Sequence, residues 1–320
     1  MKFKIGFDTR DKKKIFNYWD DIFKRNVWSE GKYTKLFEEK HSSYSKIKSL
    51  SFSNWTGAAE AILNYYKLKN KTVLCPSNTF QATPLITKQK GCKVKFVDCN
   101  KEDLCLSLED LKKKVAIHKP KAVWVVHIGG HISFQIEEIA KFCKKKKILL
   151  FEDCAHSHGA SFKNKKAGSW GDAAVYSFYA TKTISTGEGG MLLSKNKGLM
   201  NYALSYRNYG KPNLKFHGKN FRISEFAAAI GCAQIDRLDE IVSWKNEYVD
   251  KIKNKYSNMV NMPTDMISGY YKFIVFNKID NSTGKVYEKG CHKIFGEKIK
   301  LKNTEWINKN HWCVPVYYKG

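Results

Sequence analysis

Six short apolar runs, separated by segments with helical spacing, constrain this chain more than any other feature. They fall at residues 72–75, 93–98, 122–127, 147–153, 173–178 and 190–194. Residues 122–127 (AVWVVH) and 147–153 (KILLFED) are apolar almost without interruption. That pattern belongs to strands covered on both faces, as in a parallel sheet, and residues 173–178 and 190–194 are two more such runs. Between them, residues 57–66 are rich in alanine and 136–146 are amphipathic. Ser107 starts a further helix, with Asp110 three residues later in the capping-box position. Strands alternating with helices imply an α/β fold with a mostly parallel central sheet.

After about residue 210 the pattern changes. Residues 224–241 read as one long helix capped by Ser224, with an interior of Ala227, Ala228, Ala229 and Ala233. Residues 270–276 read as a strand of a second, smaller α+β unit. The 320 residues therefore divide into a large α/β domain over 1–245 and a small C-terminal α+β domain over 246–320.

Composition removes several classes of function. No apolar run approaches the ~20 residues of a membrane helix. The start, Met1-Lys2-Phe3-Lys4, has no leader-like apolar stretch, so a cytoplasmic protein is expected. The nine cysteines are irregularly spaced with no C-x-x-C pair, which suits free thiols in a reducing compartment rather than zinc or disulfides. The net charge of +27 suggests nucleic acid, but only Arg10, Arg25, Arg207, Arg222 and Arg237 are arginines. The 52 lysines are spread along the whole chain, whereas base readout and phosphate clamps favour arginine. No nucleic-acid or membrane partner is expected, although the positive field attracts a polyanionic substrate.

Ligands of open parallel sheets sit beyond the carboxyl ends of the strands. Four stations lie there. Asp153 ends a buried strand ahead of His156 and His158, and either caps the next loop or pairs with a cation. Lys182 follows Ser177-Phe178-Tyr179-Ala180-Thr181 and precedes Gly187-Glu188-Gly189-Gly190, a setting for a Schiff-base nucleophile. Asn54-Trp55-Thr56-Gly57 opens a helix, where N–H groups and a hydroxyl face a phosphate-sized anion. Phe80 follows another strand and is either a core aromatic or a stacking platform.

Together these stations resemble the DegT/DnrJ/StrS nucleotide-sugar aminotransferases, which have the fold type I, aspartate-aminotransferase-like architecture of PLP-transferases. The resemblance runs from about Trp28 to Arg237. It includes Trp28-Ser29-Glu30-Gly31-Lys32-Tyr33-Thr34 with Phe37-Glu38, residues 91–98, His127-Ile128-Gly129-Gly130, and Gly218-Lys219-Asn220-Phe221-Arg222-Ile223-Ser224-Glu225.

The resemblance implies pyridoxal 5'-phosphate (PLP) as cofactor, held by Lys182 through a Schiff base. Asp153 is implied to pair with the pyridinium nitrogen, His156 to bond the phenolic oxygen and Phe80 to stack on the ring. Thr56, Gly57 and Ser177 are implied to hold the phosphate. Asn220 is implied to reach that phosphate from a neighbouring subunit of a homodimer, while Glu188 belongs to the same glycine-rich run as the lysine. Glutamate and a nucleotide-linked keto sugar are the implied substrates, for glycan or cell-surface polysaccharide biosynthesis.

Two departures stand out. Trp55 replaces the small residue usual before the phosphate-binding threonine, and the C-terminal part is short. There, Cys291-His292 and His311-Trp312-Cys313-Val314-Pro315 either line the substrate entrance or serve structural roles. Two other functions are open at this point. One is a sugar dehydratase of the same family, a group that typically carries His where Lys182 stands; the other is a non-catalytic basic binding or regulatory protein.

Overall fold

The computed structural model describes residues 6–319. Its centre is a sheet of β1 (Ser49–Phe52), β2 (Thr72–Pro76), β3 (Lys93–Val97), β4 (Ala122–Val126), β5 (Leu149–Asp153), β6 (Ala173–Ser177) and β7 (Gly190–Leu193). Their order is β1-β7-β6-β5-β4-β2-β3, and neighbours from β3 to β6 run parallel. All six apolar runs are strands of this sheet. Its edge strand β1 had no signal, because Ser-Leu-Ser-Phe is short and half serine.

Residue alternation along each strand feeds two cores. Val73, Trp124, Phe151 and Val175 face one of them, covered by α3 (Trp55–Tyr65), α4 (Ala82–Gln89) and α7 (Lys197–Tyr206). Leu74, Val123, Leu150 and Ala174 face the other. That side is covered by α1 (Thr9–Arg25), α2 (Lys32–Ser45), α5 (Leu108–His118), α6 (Ile136–Lys146), α8 (Glu225–Ile235) and α9 (Leu238–Ile252). A small antiparallel pair, β8 (Phe273–Val275) with β9 (Trp312–Val314), lies in the C-terminal part.

Three sequence expectations need correction. β7 is antiparallel to β6, not parallel. A parallel return needs a crossover, usually a helix, whereas residues 178–189 are a tight loop without one. Second, Ser107 does cap α5, its Oγ accepting from the Asp110 N–H at 3.3 Å. The Asp110 carboxylate, however, accepts from the Asp98 N–H at 2.8 Å, tying α5 to the end of β3 instead of closing a capping box.

Third, the helix expected over 224–241 breaks at Asp236-Arg237, and α9 starts anew. Asp236 takes Lys14 and Lys40, each at 2.6 Å, while Arg237 pairs with Asp11 on α1 and with Glu240. Tertiary ion pairs to α1 and α2 override local helix propensity here.

Two segments of the resemblance meet in space. Glu225 is 1% exposed, and its carboxylate accepts from the N–H groups of Gly31 (3.0 Å), Tyr33 (2.7 Å) and Thr34 (2.8 Å). It also accepts from the Thr34 hydroxyl. It thus supplies the cap that Gly31, with no side chain, cannot give α2. Glu225→Ala leaves these buried donors unpaired and is expected to lower the unfolding free energy by about 3 kcal/mol, read by urea denaturation.

Candidate active site

A cavity of about 390 Å³ opens beyond the carboxyl ends of β4, β5 and β6. Thr56, Phe80, Asp153, His156, Ser177 and Lys182 all line it, as does Glu188. The sheet places these residues. Asp153 and Ser177 are the last residues of β5 and β6, and the first turn of α3 brings in Thr56. The loop between β6 and β7 is cinched by Phe178 N–H to Gly189 O (2.9 Å) and Thr186 N–H to Phe178 O (3.0 Å). Lys182 is carried on this clamped loop.

Asp153 is 5% exposed. Its carboxylate accepts from the Thr83 hydroxyl at 2.8 Å and from the Ala155 N–H at 3.0 Å. Burial raises its pKa, against the lowering effect of those two donors and of Lys182. Burial also lowers the Lys182 pKa to about 8, opposed by Asp153 and assisted by Lys272. The Lys182 ammonium stands 4.7 Å from the centroid of the Tyr271 ring, whose hydroxyl lies 3.0 Å from Thr181 Oγ1. On its other side Tyr271 packs against the His156 ring, centroid to centroid 4.3 Å. Burial, then Lys182, hold His156 well below its ordinary pKa, so it is neutral. Its Nε2 is 3.5 Å from the Tyr287 hydroxyl, and its buried Nδ1 has no hydrogen-bond partner among the described residues.

At the phosphate-sized end, Asn54 caps α3 by accepting from the Gly57 N–H at 2.8 Å. A Cβ on Gly57 would lie 2.6 Å from the Phe221 ring, so glycine is needed for that contact. Trp55 turns inward and packs on Trp124, ring centroids 5.6 Å apart, which accommodates its bulk in the core under the helix. Asn220 does not line the cavity. It lies exposed, bridged to Asn208, with Oδ1 accepting from the Arg222 N–H at 3.3 Å.

Of the C-terminal candidates, His292 is buried with Nδ1 2.6 Å from Ser77 Oγ. His311 is buried with Nδ1 2.6 Å from Ile307 O. Neither they nor Cys291 and Cys313 line this cavity, and their contacts are structural. The residues missed in the sequence are Thr83, Tyr271, Lys272 and Tyr287. Thr83 comes about one helical turn after Phe80, inside α4. The other three come from the C-terminal part, whose sequence has no motif to flag them.

These donors fit PLP. A buried carboxylate faces a lysine of low basicity, a neutral buried histidine has a free ring nitrogen, and a helix N-terminus with two hydroxyls lies at one end. Fold and site together match those of PLP-dependent enzymes of the aspartate-aminotransferase fold. The chain belongs to the DegT/DnrJ/EryC1/StrS aminotransferase family, whose profile matches residues 9–281.

A GDP-perosamine synthase of Escherichia coli O157:H7 is 32% identical over 246 residues, 74% of this chain. The match spans 66% of that relative, just under two thirds of its length. A Brucella abortus aminotransferase of the family superposes with a TM-score of 0.90 at 19% identity, covering 99% of this chain and 95% of that one. A GDP-4-keto-6-deoxymannose-3-dehydratase solved with a trapped PLP-glutamate geminal diamine has a TM-score of 0.84 at 22% identity, covering 98% and 95%.

The lowered pKa has a testable sign. Lys182 loses its proton near pH 8 rather than near its usual 10.5. Capture of added PLP by the cofactor-stripped protein should therefore rise with pH to a midpoint near 8, followed by absorbance. A midpoint near 10 would show an unperturbed lysine.

Proposed function

We infer that the protein transfers an amino group from glutamate to the keto group of a nucleotide-linked sugar, supplying amino sugars for glycan or cell-surface polysaccharide biosynthesis. One observation carries this reading: Lys182, its basicity lowered by burial, shares a cavity with the buried Asp153 carboxylate and the neutral His156. A GDP-sugar synthase among the relatives and a PLP–glutamate adduct in a protein of the same fold support the substrate classes.

Bound here, PLP supplies the electron sink that makes a proton beside an amino nitrogen removable. The chain supplies the rest. Asp153, fixed by Thr83 and Ala155, holds a proton on the ring nitrogen by opposing its charge. His156 Nδ1, unpaired among the described residues, bonds the phenolic oxygen. Phe80, 58% exposed at the cavity wall, covers a ring face. The hydroxyls of Thr56 and Ser177, with the first turn of α3 where Gly57 lies, hold the phosphate. Lys182 Nζ, neutral above about pH 8, would accept that proton and give it back.

Asn220, exposed on its loop, would complete the phosphate site of a second subunit in the homodimer of this reading. Nine buried free thiols accord with a cytoplasmic setting, and no described helix is long and apolar enough to cross a membrane. The dehydratase reading is disfavoured by Lys182 itself.

Two substitutions test the reading. Lys182→Ala should abolish both turnover and the visible-edge absorption of protein-bound cofactor; retention of both would overturn it. Asn220→Ala should release PLP faster and leave the subunit fold intact, measured by spectral decay after dilution. An active monomer with full cofactor affinity would refute a shared site.

A further inference from the structure

A second chamber of about 320 Å³ adjoins the cofactor cavity, and Thr181, Lys182, Tyr271 and Lys272 belong to the walls of both. Its far side is built by Lys245 and Ile241 of α9, Thr183, and the C-terminal segment at Val314–Val316. Its charge is one-sided: Lys182, Lys245 and Lys272 line it, and among the described residues no aspartate or glutamate does.

Lys245 is 6% exposed and, among the described residues, makes a single hydrogen bond, to Tyr270 O at 3.1 Å. Burial, and then Lys272, bring its pKa down to about 8. An ammonium is rarely left this buried without an opposing charge. An independent observation points the same way. Thr183 is 5% exposed, lines the chamber, and its buried Oγ1 has no partner among the described residues. An orphaned hydroxyl and an ammonium group with no carboxylate beside it, around one cavity, are the donor set of an anion site.

We propose that this chamber is a subsite for the distal carboxylate of the amino donor, a dicarboxylic amino acid, held by Lys245, Lys272 and the Thr183 hydroxyl. The assignment rests on the aminotransferase reading above and adds the residues that select the donor. The chamber, at about 320 Å³, lies at the bottom of the range for small-molecule pockets, which suits a small dicarboxylic acid. Its position favours it too, because Lys182 lines both chambers, so a donor whose amino end meets Lys182 from the first would direct its far carboxylate toward the second.

The probe is glutarate, a dicarboxylate with no amino or keto group, titrated calorimetrically into the PLP-loaded protein, with inorganic phosphate as the second arm. The wild-type protein should bind glutarate. Thr183→Val keeps the shape, removes the orphaned hydroxyl, and should weaken that binding about tenfold. The melting temperature should hold or rise, since no fold contact of Oγ1 is lost. In turnover the same variant should raise KM for glutamate and leave KM for the sugar unchanged. Lys245→Met should weaken glutarate more strongly; if it fails to fold, Thr183→Val decides alone.

Wild-type glutarate affinity in folded Thr183→Val, or no glutarate binding by the parent protein, would overturn the subsite. So would phosphate binding that exceeds glutarate and is lost in the variants, which would give the chamber to a phosphate. The two readings fail separately. Glutarate binding lost in the variants, without detectable sugar amination, sinks the proposed reaction alone. Amination with glutarate binding indifferent to the variants sinks the subsite alone.

Discussion

A carboxylate buried at the end of a central strand has to be surrounded by donors, and Asp153 organises the site by that requirement. Thr83 reaches it from α4, Ala155 from the turn that follows, and Lys182 opposes its charge from the loop after β6. Each of the two charged groups favours the ionised form of the other, yet both are shifted toward neutrality, because burial is the larger effect for each. The pair is held where a modest change in surroundings moves a proton, as proton-transfer chemistry near neutral pH demands.

The residue before it shows what the same strand does on its opposite face. Glu152 is fully buried, but the N–H groups of Gly168, Trp170 and Gly171 bond its carboxylate, and His127 Nε2 donates to it at 2.9 Å. His127 Nδ1 accepts from the Ser133 N–H, which fixes the neutral tautomer. With Cys154 these groups are close enough to enclose a metal ion. Their lone pairs and protons are already committed, and burial holds the Cys154 thiol far above its ordinary pKa. Two consecutive acids thus divide the work: Glu152 folds a loop, and Asp153 faces the cavity.

Much of this was legible because the site lies at strand ends. Buried parallel strands announce themselves by uninterrupted apolar runs; Asp153 and Ser177 lie at the ends of two of them, and Lys182 follows the second. What escaped depends on contacts between distant segments. The break at Asp236-Arg237 arises from partners more than 190 residues away on α1 and α2, invisible to helix periodicity. The direction of β7 followed from the length of a loop, not from its own composition. Tyr271 and Tyr287 enter the cavity from a part of the chain where no spacing distinguishes them from core aromatics. The Glu225 cap was visible only as a motif letter; its reason is the bare glycine at the start of α2, almost 200 residues earlier.

The contact between Gly57 and Phe221 has a mechanical meaning. Phe221 presses on the first turn of α3 with no space for a methyl group between them, and its carbonyl also accepts from the Ser53 N–H at 2.7 Å. The exposed Asn220 is the preceding residue. A force applied to that loop from outside would therefore reach the first turn of α3 through one aromatic ring, and the Ser53 backbone just before it through one hydrogen bond. Two positions 164 residues apart in sequence thus constrain each other's size, because a larger residue at either would need the other to give way.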